Sequence, residues 1–499
     1  MQFRSKQIKV SVRSILCGFI LLSLSLPAGA QDSLWALNYG GVFAESAGSL
    51  VRLTSGDLVL CGSTYSYGAG DHDIYVVRTD SVGTTVWAET FGGSGTEYGR
   101  DIQKTSDGGF VIVGSTTSTG AGNRDVYIVK IDSTGSELWS KTYGGTSHDD
   151  GASIRELYDG GFIVCGTTES FGTGTDMYLI RTDSNGDSLW TKTYGGSSGE
   201  SGAAVRVTAD SGFVLIGNTG SYGTGYSSMY AVRTDSIGDT LWTATYGNDR
   251  ADLGATVELT SDNGFIFGGT TVEDGENYYD AYVVKTDSLG VLEWDSAYGG
   301  AYEDRIYSIQ TTPDGGYILG GASEASGARK MDVLLIKIDG GGNTEWQDEI
   351  GGNETDACRA IILDSQNDYV CLGYTYSSTA GSSDLYLVKY QRAGATAVDE
   401  DGNQIPDHFV VLEQNYPNPF NLQTTIEFSL PSWSEYRLTI YNILGQVVRS
   451  WEKDFVPAGS YTISWDGRDA WGDVVASGIY LYRLEAGECM ESKKMVLLK

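Results

Sequence analysis

Residues 151–194 read GASIRELYDGGFIVCGTTESFGTGTDMYLIRTDSNGDSLWTKTY, and the order of strand and turn signals in that stretch decides the fold. Ala152–Leu157 reads as a first strand. Asp159-Gly160-Gly161 is a hairpin turn, because glycine supplies the positive φ that such turns need. Phe162–Thr167 is a second strand, rich in β-branched residues. The glycine-rich loop Ser170–Thr175 leads to a third strand, Met177–Thr182. Asp183-Ser184-Asn185-Gly186 turns the chain into a fourth, Leu189–Tyr194. On that last strand Trp190 and Tyr194 share one face, while Leu189 and Thr191 share the other. Bulk on both faces suits a sheet stacked between two neighbours. Four antiparallel strands in roughly fifty residues make one blade of a β-propeller.

The unit repeats. Tryptophan recurs at Trp35, Trp87, Trp139, Trp190, Trp242, Trp294 and Trp346, in steps of 52, 52, 51, 52, 52 and 52. Four residues after each stands the first residue of an apolar-Gly-Gly element or a close variant: Tyr39, Phe91, Tyr143, Tyr194, Tyr246, Tyr298 and Ile350. A D-G-G-F element, as at Asp107–Phe110, and a D-x-Y-h-V-K/R-x-D element (h apolar), as at Asp125–Asp132, recur with the same period. Such periods denote rings, solenoids or arrays. No 3.6-residue periodicity runs through any unit, which excludes a helical solenoid. A β-helix is the alternative, but its coils are usually shorter and give no reason to stop at seven.

The order of the pieces points to closure. The repeats begin with a lone fourth strand, Leu34–Tyr39, and end with a third strand, Leu385–Tyr390, that has no fourth after it. The N-terminal strand is therefore expected to complete the seventh blade and remove the open edge. The expected fold class is all-β: a seven-bladed β-propeller of four-stranded blades over residues 31–392, with an immunoglobulin-like β-sandwich after it.

The first 30 residues read as a signal peptide. Arg4, Lys6, Lys9 and Arg13 precede an apolar run from Ile15 to Leu26, and Ala28-Gly29-Ala30 places cleavage before Gln31. The run is too short for a spanning helix, which needs about 20 residues, so no transmembrane segment is expected. Removing the four basic residues takes the net charge from −32 to −36. Such acidity argues against nucleic acid, whose phosphates are held by Lys and Arg, and suits a soluble secreted or cell-surface protein. The remaining cysteines, Cys61, Cys165, Cys358, Cys371 and Cys489, are too sparse for a disulfide framework. Cys358 and Cys371 fall on neighbouring strands of one hairpin, where two buried thiols are favoured over a disulfide.

After Tyr390 the repeat stops, and residues 393–408 read as a polar linker. Asp399-Glu400-Asp401-Gly402-Asn403 hints at calcium but lacks the length and terminal Glu of an EF-hand loop, so no cofactor is expected. Residues 409–499 carry Asn415-Tyr416-Pro417-Asn418-Pro419-Phe420-Asn421, then Leu438–Asn442 running into Leu444-Gly445-Gln446. Trp465–Asp469, Ser477-Gly478-Ile479-Tyr480 and a terminal Lys493-Lys494-Met495-Val496-Leu497-Leu498-Lys499 follow. In order and spacing this segment resembles the C-terminal sorting domain of type IX secretion cargo, related to the immunoglobulin-like domain of flagellar hook-capping proteins. The resemblance implies export across the outer membrane and a partnership with sorting machinery. It marks Pro417, Asn418, Pro419, Phe420, Gly445, Gly478, Lys493 and Lys494 as the sorting residues. The preceding repeats resemble those of exported bacterial proteins, a likeness that implies no activity.

Chemistry is scarce. The three histidines, His72, His148 and His408, form no metal-ligand or triad spacing. No nucleophile elbow or Walker loop stands in the chain. One constellation recurs: an acid opening each first strand, at Glu45, Glu97, Asp149, Glu200, Asp252, Asp304 and Asp356. A second acid opens the third strands at Asp73, Asp125, Asp176, Asp280, Asp332 and Asp384, with Ser228 the exception. The first set is expected to line the central channel. Three roles stay open for it: carboxylates hydrogen-bonded within the loops, a rim for cations or a basic ligand, or paired acids for glycoside hydrolysis. Arg100, Arg305 and Arg359 lie within three residues of ring acids and are expected to supply part of the compensating charge.

Sevenfold sameness and scarce histidine favour a binding module for an extracellular glycan or protein. The alternative is a secreted carboxylate-dependent hydrolase or lyase. One asymmetric pocket built from unlike repeats would discriminate between them. The loop face, carrying the acids and the aromatics Tyr67, Phe171, Tyr222, Tyr226, Tyr278 and Tyr279, is the expected recognition surface. The opposite face carries the tight turns and both ends of the ring.

Overall fold

The computed structural model describes residues 33–391 and 411–498, apart from 249, 273–277, 325–329, 365–367, 378–381, 413–414, 422, 431–433, 443–444, 457–458, 471 and 487–488. The expected signal peptide with its expected cleavage site at Ala30-Gln31, the expected linker 393–408 and the acidic run Asp399–Asn403 lie outside the described residues. Among the described residues every helix or strand assigned is a strand, and no helix is long and apolar enough to cross a membrane.

Seven antiparallel four-stranded sheets follow the repeat. Blades 1 to 6 run from Glu45 to Phe91, Glu97 to Tyr143, Asp149 to Tyr194, Glu200 to Tyr246, Leu253 to Tyr298 and Asp304 to Ile350. Blade 7 runs from Asp356 to Tyr390 and takes Ser33–Tyr39 as its fourth strand. That strand pairs antiparallel with Asp384–Tyr390, from Ser33 opposite Tyr390 to Tyr39 opposite Leu385. The ring is thus closed by main-chain hydrogen bonds, and Ser33 and Tyr390 sit together on the tight-turn side. Each first strand packs on the first strands of both adjacent blades, and the strand of blade 7 packs on that of blade 1. The seven first strands therefore surround the axis and form the channel wall.

The repeat markers hold successive blades together. Six of the seven fourth-strand Trp residues pack on the aromatic of the next blade's D-G-G-F element, with ring centroids 6.0 Å apart for Trp139 and Phe162 and 5.9 Å for Trp242 and Phe265; the blade after Trp35 has Leu58 there. The Tyr that opens Y-G-G donates its hydroxyl to a glycine carbonyl in the next blade's last turn: Tyr39 to Gly83 at 2.6 Å, Tyr194 to Gly238 at 2.7 Å and Tyr298 to Gly342 at 2.6 Å. The basic residue of the third strand pairs with the turn aspartate, as in Lys130–Asp107, Lys285–Asp262 and Lys337–Asp314. Apolar residues of adjacent blades merge into shared cores, such as Val59, Ile74 and Val76 with Ile102, Ile112 and Val129.

Two local expectations are corrected. The first strand of blade 3 begins at Asp149, three residues before the expected start. The fourth strand packs on one face only: Leu189 and Leu241 are exposed, because that strand is the outer edge of its sheet. Cys61, Cys165, Cys358 and Cys371 are buried free thiols.

The tail forms a three-stranded sheet (Val411–Leu412, Thr424–Leu430, Gly459–Trp465) and a four-stranded sheet (Ser434–Asn442, Val447–Val456, Gly478–Ala486, Cys489–Leu497). Between them lies one core, including Phe420, Phe428, Leu438, Trp465, Tyr482 and Met495.

Candidate functional site

The ring acids are built into the blades. Each accepts the backbone N–H four residues upstream: Gly41 to Glu45 (3.1 Å), Gly93 to Glu97 (2.7 Å), Gly145 to Asp149 (2.9 Å), Gly196 to Glu200 (2.7 Å), Asn248 to Asp252 (2.9 Å), Gly300 to Asp304 (2.8 Å) and Gly352 to Asp356 (2.8 Å). Hydroxyls add to the shell, such as Thr64 on Glu45 (2.6 Å), Thr116 on Glu97 (2.6 Å) and Ser377 on Asp356 (2.7 Å), while Oδ1 of Asp149, Asp304 and Asp356 is buried without a hydrogen-bond partner among the described residues. All seven acids are at most 2% exposed. They do not line an open channel wall as expected, and of the three roles left open by the sequence they take the hydrogen-bonded one. A short acid at the strand start is the best acceptor for the amides of its own Y-G-G turn, which would otherwise be buried unpaired.

The second set of acids meets the first across a glycine. A Cβ on Gly92 would stand 2.2 Å from both Asp73 Oδ1 and Glu97 Oε2, and one on Gly40 2.3 Å from Asp384 Oδ1 and 2.2 Å from Glu45 Oε2. Two carboxylates this close cannot both ionise at low cost. Desolvation, with the charge and hydrogen bond of Glu45, pushes Asp384 up to about 7. Desolvation, with the charges of Asp356 and Glu349, pushes Asp332 up to about 6.

Three residues beyond each ring acid the regularity ends. Every first strand carries a β-bulge there, seen as a register shift between Ala47 and Ser49, Gly99 and Asp101, Gly151 and Ser153, Gly202 and Ala204, Gly254 and Thr256, Ile306 and Ser308, and Cys358 and Ala360. The extra residues are Gly48, Arg100, Ala152, Ala203, Ala255, Tyr307 and Arg359. All are partly or fully exposed on strands whose other residues are largely buried. A bulge re-aims its side chain, and on an innermost strand that directs it into the channel.

The outcome is asymmetric. Blades 3, 4 and 5 contribute only methyl groups and blade 1 no side chain, while blades 2, 6 and 7 contribute two guanidiniums and a phenol. The Arg359 guanidinium lies 4.1 Å from the Tyr307 ring centroid and 5.6 Å from that of Tyr374. Arg100 and Arg124 lie 5.5 and 5.7 Å from that of Tyr98. Arg100 is exposed, yet desolvation lowers its pKa, with the charges of Arg359 and Arg124 acting in the same direction and Asp150 opposing them. The sequence expectation that Arg100, Arg305 and Arg359 compensate the ring acids is corrected: Arg305 pairs with Glu303 and lies over Tyr279, and the other two face the channel.

Deeper in, six residues beyond each ring acid, stand Val51, Gln103, Arg155, Arg206, Glu258, Gln310 and Ile362. They line a cavity of about 400 Å³. Its polar side is a network: Arg155 Nη1 donates to Asp101 at 2.5 Å, Arg206 Nε to Glu258 at 3.0 Å and Gln310 Nε2 to Glu258 at 3.2 Å. Burial works to raise the Asp101 pKa, and Arg155 with the Ile154 amide more than offsets it, holding it below the usual carboxylate range.

Of the loop aromatics, Tyr67 and Tyr222 donate their hydroxyls to Gly40 and Gly195 carbonyls (2.8 Å each) and stack on Tyr75 and Tyr230. Phe171 stacks on Tyr178. These three brace their loops. Tyr226 stands free at 92% exposure, Tyr278 packs edge-on against Tyr302, and Tyr279 joins the channel mouth through Arg305.

In the tail, Pro417, Asn418 and Pro419 are exposed and Phe420 is buried. The Asn418 side chain accepts the Val496 N–H (2.9 Å), and Phe420 exchanges main-chain hydrogen bonds with Val496 and Leu498 (3.0 and 2.8 Å). That turn clamps the last strand, on which Lys493 is half-buried and Lys494 exposed. Gly445 and Gly478 are exposed. Residues 420–488 match the FlgD Ig-like domain.

Other likenesses cover larger shares of the chain. The regulatory protein FlaEY of Caulobacter vibrioides is 21% identical over 378 residues, covering 62% of this chain. The match spans only 39% of that protein's length. Among solved structures, a fungal alcohol oxidase of the AA5 family in complex with copper aligns over 93% of this chain and 98% of its own, at 12% identity and a TM-score of 0.46. The Pan2 WD40 domain of Neurospora crassa aligns over 73% and 97%, at 10% identity and a TM-score of 0.46.

Proposed function

We propose that this chain is an exported binding protein that is held at the cell surface through its immunoglobulin-like tail and recognises an extracellular glycan or protein at the loop side of the propeller. One observation carries the reading: on a scaffold repeated seven times, the channel-facing bulge residues differ from blade to blade. Binding surfaces need unlike side chains converging on one concave site, whereas architecture repeats the same side chain. The buried, internally bonded acids favour binding over carboxylate catalysis. A glycan array probed with residues 31–499 is expected to give discrete hits, with no release of reducing ends from the bound sugars. A blank array together with no partner captured from the host's extracellular proteins would overturn the reading.

The export route rests on the tail's resemblance to sorting domains. A chain ending at Arg392 is expected to accumulate in the periplasm of its host. Normal surface display of that shortened chain would remove the tail from the pathway.

A further inference from the structure

The molecule carries 65 acidic and 33 basic residues, yet at the loop-side mouth of the channel Arg100 feels the like charges of Arg359 and Arg124, with Asp150 as the opposing charge. Arg124 Nη1 is 3.4 Å from Asp150. Among the described residues no carboxylate lies within ion-pair distance of Arg100 or Arg359. Two further polar atoms at this mouth, Arg124 Nε and His72 Nδ1, are buried without a hydrogen-bond partner. His72 and Arg124 occupy equivalent places, each just before the acid that opens a third strand, and both reach Tyr98: the His72 ring is 5.4 Å from it and the Arg124 guanidinium 5.7 Å.

Blade 1 places no side chain between the bulge arginines of blades 2 and 7. Its bulge residue is Gly48, which packs directly on the neighbouring strand: a Cβ there would stand 2.7 Å from Gly99 O and 2.8 Å from Arg100 O. The small residues Ala152, Ala203 and Ala255 leave the facing wall low. Guanidiniums held over aromatic rings keep their hydrogen-bonding edges free, and those edges match a planar carboxylate or a sulfate with two parallel bonds.

We propose that the mouth of the channel, at Arg100 and Arg359, binds the anionic group of an acidic saccharide, a uronate carboxylate or a sugar sulfate. This inference rests on the binding reading for its class of ligand and supplies the chemistry of recognition. Neutral sugars lack the charge that two uncompensated guanidiniums demand. Desolvation of Arg100 and its repulsion by Arg359 and Arg124 act in the same sense, because an arriving anion relieves both.

The test is calorimetric titration of residues 31–499 with trigalacturonate, with its methyl ester, with a sulfated trisaccharide and with an acidic tripeptide at one ionic strength. The expected result is binding of at least one of the two acidic saccharides. Its neutral counterpart should bind at least tenfold more weakly, and affinity should fall as salt is raised. Arg100→Ala and Arg359→Ala should each weaken binding about tenfold or more, with unchanged melting temperature, and Arg100→Lys should fall between wild type and Arg100→Ala. Equal affinity for acid and ester, or full affinity in the Arg100→Ala/Arg359→Ala double variant, overturns the anion site while leaving the binding reading intact. Binding of the acidic peptide alone overturns the saccharide class. Absence of all four affinities overturns this site, and the glycan array then decides the broader reading separately.

Discussion

Two sets of side chains three residues apart on the same seven strands have opposite fates. Glu45, Glu97, Asp149, Glu200, Asp252, Asp304 and Asp356 are uniform, buried and hydrogen-bonded to their own loops. Gly48, Arg100, Ala152, Ala203, Ala255, Tyr307 and Arg359 are varied and face the channel from bulges. A residue inside a repeated junction meets the same surroundings seven times and is held to one chemical type. A residue on the axis meets its counterparts from the other blades instead, and only the combined surface matters. Repetition therefore identifies the scaffold, and departure from repetition identifies the site.

The sharpest way to break this contrast is to add one methyl group at the junction. In Gly92→Ala the new Cβ would collide with the carboxylates of both Asp73 and Glu97, neither of which has room to retreat. A loss of about 3 kcal/mol or more is expected in urea denaturation. A loss below about 1 kcal/mol would show that the junction is loose. Next in size is Glu97→Ala, which leaves the Thr116 hydroxyl and the Gly93 amide without their acceptor. Stranding buried polar groups costs roughly 2–4 kcal/mol here, and an unchanged denaturation midpoint would place this acid outside the architecture.

The uniform half of the contrast was legible in the sequence. Trp35, the Y-G-G elements, the D-G-G-F turns and the offset between Leu34–Tyr39 and Leu385–Tyr390 specified the blade count and the closing strand, because each marker makes the same contact in most of the blades. The ring acids were visible for the same reason. The varied half was not legible. A bulge inserts one residue and breaks the two-residue alternation, so Arg100 and Arg359 read as neighbours of the acids rather than as channel residues. The position three beyond each acid holds alanine in three blades, arginine in two, and glycine and tyrosine in one each, and no pattern search would join these four types. The signal that could have found it is the inverse one: a column of the repeat with no consensus between columns that have one. The loop aromatics show the converse. Tyr67, Phe171 and Tyr222 stand on the loop face, where the sequence allows both ligand contact and packing, and their rings pack against Tyr75, Tyr178 and Tyr230 as braces.

Acidity offers a middle-sized test. Asp332 and Asp384 titrate at about 6 and about 7 in the folded ring, above their unfolded value, so they hold protons that the unfolded chain gives up. Their contribution is fully present below about pH 4 and is lost as pH rises through 6 and 7. The turn aspartates behave oppositely. Burial works to raise Asp107, but Lys130, Thr105 and Gly109 hold it at about 2, so its contribution is present above about pH 4 and lost as pH falls through 2. Stability is expected to be greatest near pH 4 to 5 and to decline towards pH 8. Asp384→Asn keeps a neutral donor beside Glu45 and should flatten the decline. An identical slope in wild type and variant would remove the Asp384–Glu45 junction as its source.

The smallest expected effect sharpens the contrast most. Arg100 makes no ion pair among the described residues, its backbone is the unpaired member of a bulge, and desolvation and two like charges work against its charged form. Truncating it removes a cation–π contact with Tyr98, worth about 0.5–1 kcal/mol at an exposed site, and also removes the repulsion from Arg359 and Arg124. The two changes oppose each other, so Arg100→Ala should leave stability within about 0.5 kcal/mol of wild type. The comparison is to be made in paired urea melts with Glu97→Ala, three residues upstream on the same strand. If Arg100→Ala costs as much as Glu97→Ala, the bulge ring is architecture like the acid ring, and variation between blades has lost its meaning as a guide to the site. If it costs nothing, or stabilises, a guanidinium is being held in the channel for something other than the fold.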